Sequence, residues 1–283
     1  MKPGQDSATA VLVCMGRAAA HQATSAARFS DPTALALLPR EAQERVQRLR
    51  AGEVPKDWRG RFRYEHLRRL AHMMVARTVA IDDAVREAKA PQLVILGAGL
   101  DGRAWRMPEL REAVVYEVDH PDSQRVKRER AASLEPLARE LRFVPVDFTR
   151  DRLGAALAAA GHDPALPTTW IWEGVVMYLE RADISATLDA LRARSASASR
   201  LVVTYHTPGL ASLIGAVLVR RLGEPFRSHF RPAAFRALLA QHGWSMLRDQ
   251  SLPELGPAIF ADPAQRRGLM RHVHIVTAEV TPG

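Results

Sequence analysis

A chain of 283 residues with 47% hydrophobic residues can bury a large core, and it has room for one α/β domain with an elaboration. Lysine and arginine (40) outnumber aspartate and glutamate (31), giving a formal charge of +9, and only four of those cations are lysine. The single cysteine, Cys14, excludes an internal disulfide and a multi-cysteine metal site; it reads as a packed small residue in a cytoplasmic protein.

The arginines are scattered among acidic residues, and no long basic run with interleaved aromatics stands out, so no nucleic-acid partner is expected. The apolar run 8–15 is too short to span a bilayer and only Lys2 supplies a positive flank, so neither a signal peptide nor a membrane partner is expected. A positive surface field suits anionic small substrates instead.

Residues 1–90 carry no strand pattern. They read as helices over roughly 8–27, 31–38, 39–51 and 64–86 with a linker at 52–60, forming a helical cap over the ligand-binding edge of the domain that follows, 91–283. From residue 92 the pattern alternates. Short runs rich in Val, Ile and Leu at 92–96, 113–118, 142–146, 168–172 and 200–205 suit strands buried on both faces. Helical stretches at 122–139, 153–160 and 181–196 lie between them, the last with Ile184, Leu188 and Leu191 at helical spacing. Segment 207–231, with Gly209, Gly215, Gly223 and an apolar piece at 210–222, reads as a lid insertion. A helix at 232–242 and strands at 244–250 and 271–280, joined by 252–268, complete a doubly wound α/β sheet of seven strands.

The first strand breaks into Gly97-Ala98-Gly99-Leu100-Asp101-Gly102, and Glu117 and Asp119 close the second. Glycines let the backbone turn sharply and approach a ligand, and a carboxylate about twenty residues on can accept ribose hydroxyls. That much suits any adenosine cofactor, NAD included. Asp101 separates the readings, because a carboxylate inside the loop repels a pyrophosphate and suits a cationic amino group, although it could equally cap a helix. Asp147-Phe148 ends the third strand with an acid and an aromatic that can hold adenine. Glu173-Gly174 ends the fourth, and a buried carboxylate there needs a cation, either a ligand ammonium or a structural arginine.

These segments, with Trp172-Glu173-Gly174-Val175-Val176-Met177-Tyr178-Leu179, Arg77-Thr78 followed by Ile81-Asp82, and Asp31-Pro32, resemble the leucine carboxyl methyltransferase family and its bacterial S-adenosylmethionine-dependent O-methyltransferase relatives. The likeness runs from about residue 10 to 250. It implies a class I methyltransferase (Rossmann-like) fold, whose sheet ends in an antiparallel pair, and S-adenosylmethionine as cofactor. It further implies that Arg77 contacts the methionine carboxylate and that Gly97, Ala98, Gly99 and Asp101 form the cofactor loop. Glu117 and Asp119 fall at its ribose end, Asp147 and Phe148 at adenine and Glu173 at the methionine end. Gly102 departs from the family, which usually carries a small hydroxyl residue there.

Methyl transfer to oxygen needs alignment and exclusion of water, and a hydroxyl acceptor, unlike a carboxylate, also gains from a base. His206, directly after the fifth strand, is the best base candidate, ahead of His229; Tyr178 and Tyr205 could orient the acceptor. Leu210, Leu213, Ile214, Val217 and Leu218 in the insertion suit a lipophilic acceptor or an ordinary packed helix. The expected partner is a small molecule such as a natural product. The alternatives are an NAD-dependent oxidoreductase, a protein C-terminal carboxyl methyltransferase and a non-catalytic cofactor-binding protein.

Overall fold

The computed structural model describes residues 7–148, 150–209 and 226–281. Seven strands form one sheet: β1 (Gln92–Leu96), β2 (Val114–Asp119), β3 (Glu140–Pro145), β4 (Thr168–Trp172), β5 (Arg200–His206), β6 (Trp244–Ser251) and β7 (Val273–Val280). Their order is β3-β2-β1-β4-β5-β7-β6, with β7 antiparallel to both neighbours and the other pairings parallel. The chain leaves β1 toward β2 and β3, then returns to place β4 on the other side of β1. Loops diverge at that switch point and open a crevice at the strands' carboxyl ends.

Strand alternation divides the core into two layers. Leu93, Ile95, Val115, Ile171 and Val202 face α1 (Ala8–Ala20) and α3 (Trp58–Ala88), which contribute Met15, Val75 and Val79. Val94, Leu96, Trp170, Trp172, Leu201 and Val203 face the opposite layer, where Leu157, Ile184, Leu188, Phe235 and Leu239 lie. Those residues come from α6 (Leu153–Ala159), α7 (Arg181–Ala193) and α8 (Pro232–Gln241). The N-terminal helices therefore belong to one layer of the sandwich, together with Trp105, Ala131 and Leu252.

Several boundaries differ from expectation for local reasons. Helix α1 ends at Ala20, because Gln22 takes a left-handed conformation (φ 64°). Segment 31–38 forms turns; Asp31 Oδ1 accepts from Ala34 N (3.0 Å), and Pro39 disfavours helical geometry at Leu38. The helix α2 (Arg40–Arg50) follows. Helix α3 starts six residues early, within the expected linker, because Asp57 accepts from Gly60 N at 2.8 Å and caps it. The helix α4 (Arg103–Arg106) is a single turn. Helix α5 (Pro121–Ala131) stops five residues before Pro136. Within 252–268, expected to be a connection, lies α9 (Leu252–Ile259), started by a capping box between Ser251 and Glu254. Most of the expected lid, including the apolar positions from Leu210 to Leu218, lies outside the described residues.

Candidate active site

A cavity of about 510 Å³ lies over the carboxyl ends of β1, β2 and β4, within the size range of small-molecule sites. Gly97, Ala98, Gly99, Leu100 and Asp101 form its floor, Asp119 and Phe148 one end, and Glu173, Gly174, Val175 and Tyr178 the other. Helix α1 supplies Thr9, Ala10, Val13 and Arg17, and α3 supplies Arg77.

The floor requires glycine. Gly97 has φ +63°, and a Cβ there would lie 2.6 Å from Val175 Cγ2; Gly99 has φ +48°. The turn is held from β2, since Asp119 Oδ2 accepts from Gly99 N at 2.5 Å and Ala98 N donates to Val118 O at 3.1 Å. Burial pushes the Asp119 carboxyl up, against the pull of the Gly99 and His120 amides. Gly102 has another cause: a Cβ would lie 2.3 Å from Thr33 Oγ1. The Thr33 hydroxyl fills the space beside the loop and donates to Asp31 Oδ1 at 2.9 Å. The third glycine of the dinucleotide-like pattern thus answers to packing against the 31–33 turn.

Beneath the Glu173 end of the cavity runs a buried ion network. Glu173 lies 2.6 Å from Arg77 Nε and 2.9 Å from Arg103 Nη1. Arg103 also pairs with Asp101 and with Asp82 (2.8 Å), Asp82 with Arg106 (2.6 Å), and Arg17 with Asp31 (2.8 Å). Arg106 approaches Asp31 at 3.7 Å and closes the chain. Burial alone would raise the Glu173 and Asp101 carboxyls; Arg77 and Arg103 outweigh it at Glu173, and Arg103 and Arg17 at Asp101, so both sit below the usual range. Four arginines and four carboxylates leave the set balanced. A zwitterionic amino-acid moiety brings one charge of each sign and preserves that balance, whereas a pyrophosphate adds only negative charge. Thr9 Oγ1, in the cavity wall, is buried with no hydrogen-bond partner among the described residues, so it can serve a ligand.

Seven of the ten cofactor residues read from sequence thus meet at the cavity: Arg77, Gly97, Ala98, Gly99, Asp101, Asp119 and Glu173. Phe148 joins them, 42% exposed at the rim with its ring available for stacking. The other two do not line it. Glu117 faces α5, where its carboxylate accepts from Lys127 Nζ (2.7 Å); burial raises it to about 7. Asp147 turns toward Arg150 (3.7 Å), and its amide is held by Asp151. Asp101, expected to meet a ligand amine, also starts α4 by accepting from Arg103 N at 2.7 Å.

Of the candidate acceptor residues, Tyr178 lines the cavity. Tyr205 points the other way, because alternation sends it to the far layer, where it stacks on Phe235 (4.2 Å) and donates to Asp249 Oδ2 (2.8 Å). His206 lies off the lining behind Phe226, whose ring is 5.2 Å from His206 and 5.5 Å from Tyr178. Its Nδ1 is buried without a hydrogen-bond partner among the described residues, and burial pushes the ring down to about 3. His229 packs on Phe226 at 5.9 Å. Cys14 is fully buried, its thiol raised to about 12 by burial.

The reading from sequence missed Arg103 and Arg17. Arg103 sits next to the glycine loop and could have been tried as the counter-ion of Glu173; Arg17, which donates to Leu100 O at 2.5 Å, carried no local signal.

The leucine carboxyl methyltransferase family matches residues 10–192 of this chain. A Mycobacterium sp. (strain JLS) protein named "Putative S-adenosyl-L-methionine-dependent methyltransferase" is 37% identical over 227 residues, covering 78% of this chain and 73% of that one. One from Frankia alni with the same description is 41% identical over 145 residues, half of each chain. Among solved structures, one described as a putative methyltransferase from Thermobifida fusca superposes with a TM-score of 0.61 at 15% identity, covering 99% and 96%. A DUF574 family protein from Streptomyces avermitilis gives 0.59 at 15% identity, covering 98% of both chains. At such identity these two speak for the fold alone. The protein belongs to the leucine carboxyl methyltransferase family, and it is a methyltransferase with a class I fold that uses S-adenosyl-L-methionine.

Proposed function

We propose that the enzyme methylates an oxygen of a small-molecule acceptor, and that this oxygen belongs to a carboxylate. S-adenosylmethionine supplies the methyl group as an electrophile, so the acceptor oxygen needs alignment opposite the sulfur and a dry approach. In this reading Asp119 receives the ribose, Phe148 lies against adenine, and the Arg77–Glu173–Arg103–Asp101 set orients the methionine end. Tyr178, at that end of the cavity, positions the acceptor.

The observation that carries the choice of carboxylate is the state of His206. The ring lies off the cavity lining against Phe226, and burial pushes it down to about 3, which leaves it neutral at pH 7 and poorly matched to deprotonating an alcohol. A carboxylate is already ionised and needs no base. The family name, leucine carboxyl methyltransferase, agrees with an acceptor of that kind. A hydroxyl acceptor is the second reading, favoured by the unpartnered Nδ1 of His206, which a phenol would have to approach past Phe226.

The test is transfer of radiolabelled methyl from S-adenosylmethionine to a panel of carboxylic acids, phenols and alcohols, followed by mild alkali. Esters release volatile methanol and ethers do not. Base-labile product from an acid, with His206→Ala retaining most of the rate, is the expected result. An alkali-stable ether whose formation collapses in His206→Ala selects the second reading, and label on nitrogen, carbon or protein sinks both.

A further inference from the structure

Far from the cavity, the first turns of α3 carry an exposed apolar ridge set in arginines. Trp58 (73% exposed) and Phe62 (68%) stand one turn apart on the outer face, and Val54 (53%) lies in the loop that precedes the helix. Only six large hydrophobic side chains of the described residues are exposed, and these three fall within nine positions. An exposed apolar cluster of this kind marks an interaction surface. It is held in place: Asp57 caps the helix, and Gly60 is pressed so closely on Pro55 that a Cβ would lie 2.5 Å from it.

Arg59, Arg61, Arg63, Arg68 and Arg69 are all exposed on the first three turns or so of the same helix. At 100° per residue, Arg61 and Arg68 fall on one flank of the Trp58–Phe62 crest and Arg59 and Arg63 on the other. Arg59 lies 5.2 Å from the Trp58 ring centroid, and the His66 ring stacks on Phe62 at 6.4 Å. Between residues 53 and 69 there are six Lys and Arg against three acids; of those, Asp57 is engaged in the cap and Glu65 pairs with Arg68 at 2.8 Å. The stretch was passed over in the sequence because Trp58 fell in the expected linker 52–60 and Phe62 ahead of the helix expected from 64, so neither was placed on a helix face.

From this arrangement we propose that the ridge docks the enzyme on an anionic lipid surface, with Val54, Trp58 and Phe62 entering the headgroup boundary while the flanking arginines pair with lipid phosphates. A ridge of apolar side chains bordered by cations is how peripheral proteins lie on such a surface. An aliphatic member beside the aromatics favours lipid over nucleic acid, whose bases stack on rings but gain nothing comparable from valine. The positive charge argues against a second copy of this face, since like charges would meet across the dyad. No described helix is long and apolar enough to cross a membrane, so the contact is peripheral.

The probe is the full chain with vesicles of phosphatidylcholine, alone or containing phosphatidylglycerol. The other four tryptophans, Trp105, Trp170, Trp172 and Trp244, are buried, so quenching by brominated lipid reports on Trp58. Cosedimentation with phosphatidylglycerol vesicles, lost in high salt and accompanied by Trp58 quenching, is expected. Arg61→Glu/Arg63→Glu should weaken it at least about tenfold, and Val54→Ser/Phe62→Ser should abolish quenching, with S-adenosylhomocysteine binding unchanged in both variants. The proposal is overturned by failure to bind these vesicles, by equal binding to pure phosphatidylcholine, or by binding that ignores both pairs of substitutions. Tight binding of single-stranded oligonucleotide in place of vesicles, or a dimer in sedimentation that shields Trp58 from quencher, would reassign the ridge.

Discussion

Asp119 and Gly97 show how much a single position of the site decides. Asp119 holds the Gly99 amide and also faces the cavity, so Asp119→Ala removes both a ligand acceptor and the anchor of the loop. Hydrogen bonds to a charged group contribute about 1.5–3 kcal/mol. Titration calorimetry should therefore find S-adenosylhomocysteine bound about 10–100-fold more weakly, with the circular dichroism of the native fold retained. Gly97→Ala meets two obstacles, a left-handed backbone and a Cβ 2.6 Å from Val175. The backbone alone costs about 1–2 kcal/mol, so urea unfolding should show at least that loss together with weaker cofactor binding; unchanged values of both would mean that the loop relaxes freely. The glycines, Asp119 and Glu173 were legible because each ends a strand at the same edge of the sheet. Glu117 and Asp147 were not excluded by their spacing. The position of Lys127 on α5 is what engages Glu117 with the scaffold, and the turn toward Arg150 is what takes Asp147 off the cavity lining.

Strands were easier to read than helix ends. Runs such as 92–96 and 168–172 match β1 and β4 at both boundaries, since a strand buried on two faces must be apolar throughout. Alternation along β5 was available too, and it would have separated His206 from Tyr205, which a search for titratable groups near one strand end placed together. Helix ends depend on caps of one or two side chains, and these are where the reading slipped: Asp57 extends α3 and Ser251 creates α9. Ser251 and Glu254 satisfy each other, so the pair lay in the sequence as a serine followed three residues later by glutamate. Replacing Ser251 by alanine should lower stability by about 1 kcal/mol in urea unfolding, and Glu254→Gln should cost less, because an amide oxygen still accepts from the Ser251 backbone. A loss well under half of that for Ser251→Ala would show α9 to be held by Leu252 and Ile259 in the core rather than by its cap.

The whole molecule combines a positive surface with a balanced interior, and its response to acid follows from the interior. His206 is pushed down to about 3 and His162 to about 4, both chiefly by burial. Each is neutral in the folded chain at pH values where the unfolded chain, with an ordinary histidine near 6.5, has bound a proton. Glu117 acts in the opposite sense: raised from 4.5 to about 7 by burial, it keeps a proton when folded that it gives up when unfolded. Between about pH 6.5 and 4.5 these two histidines outweigh Glu117, and His21, His66, His72, His229 and His272, all lowered chiefly by burial, act in the same sense, so the unfolded state binds more protons. Stability falls as the pH drops, by about 1.4 kcal/mol per pH unit for each uncompensated proton. Below 4.5 the opposing glutamate no longer differs between the states, and the slope steepens. Asp31, Asp82, Asp101 and Glu173, held low against burial by the arginines, then add their own loss. Urea unfolding at a series of pH values should show a decline from pH 6.5 that grows steeper past 4.5. His162→Gln/His206→Gln should make the decline shallower in both parts, because these two rings are protonated selectively in the unfolded chain from about pH 6.5 down to their folded values near 4 and 3, while the arginine-held carboxylates keep the loss at lower pH. A variant curve parallel to the native one across that range would place the titrating groups elsewhere and leave the two rings exchanging protons freely with water.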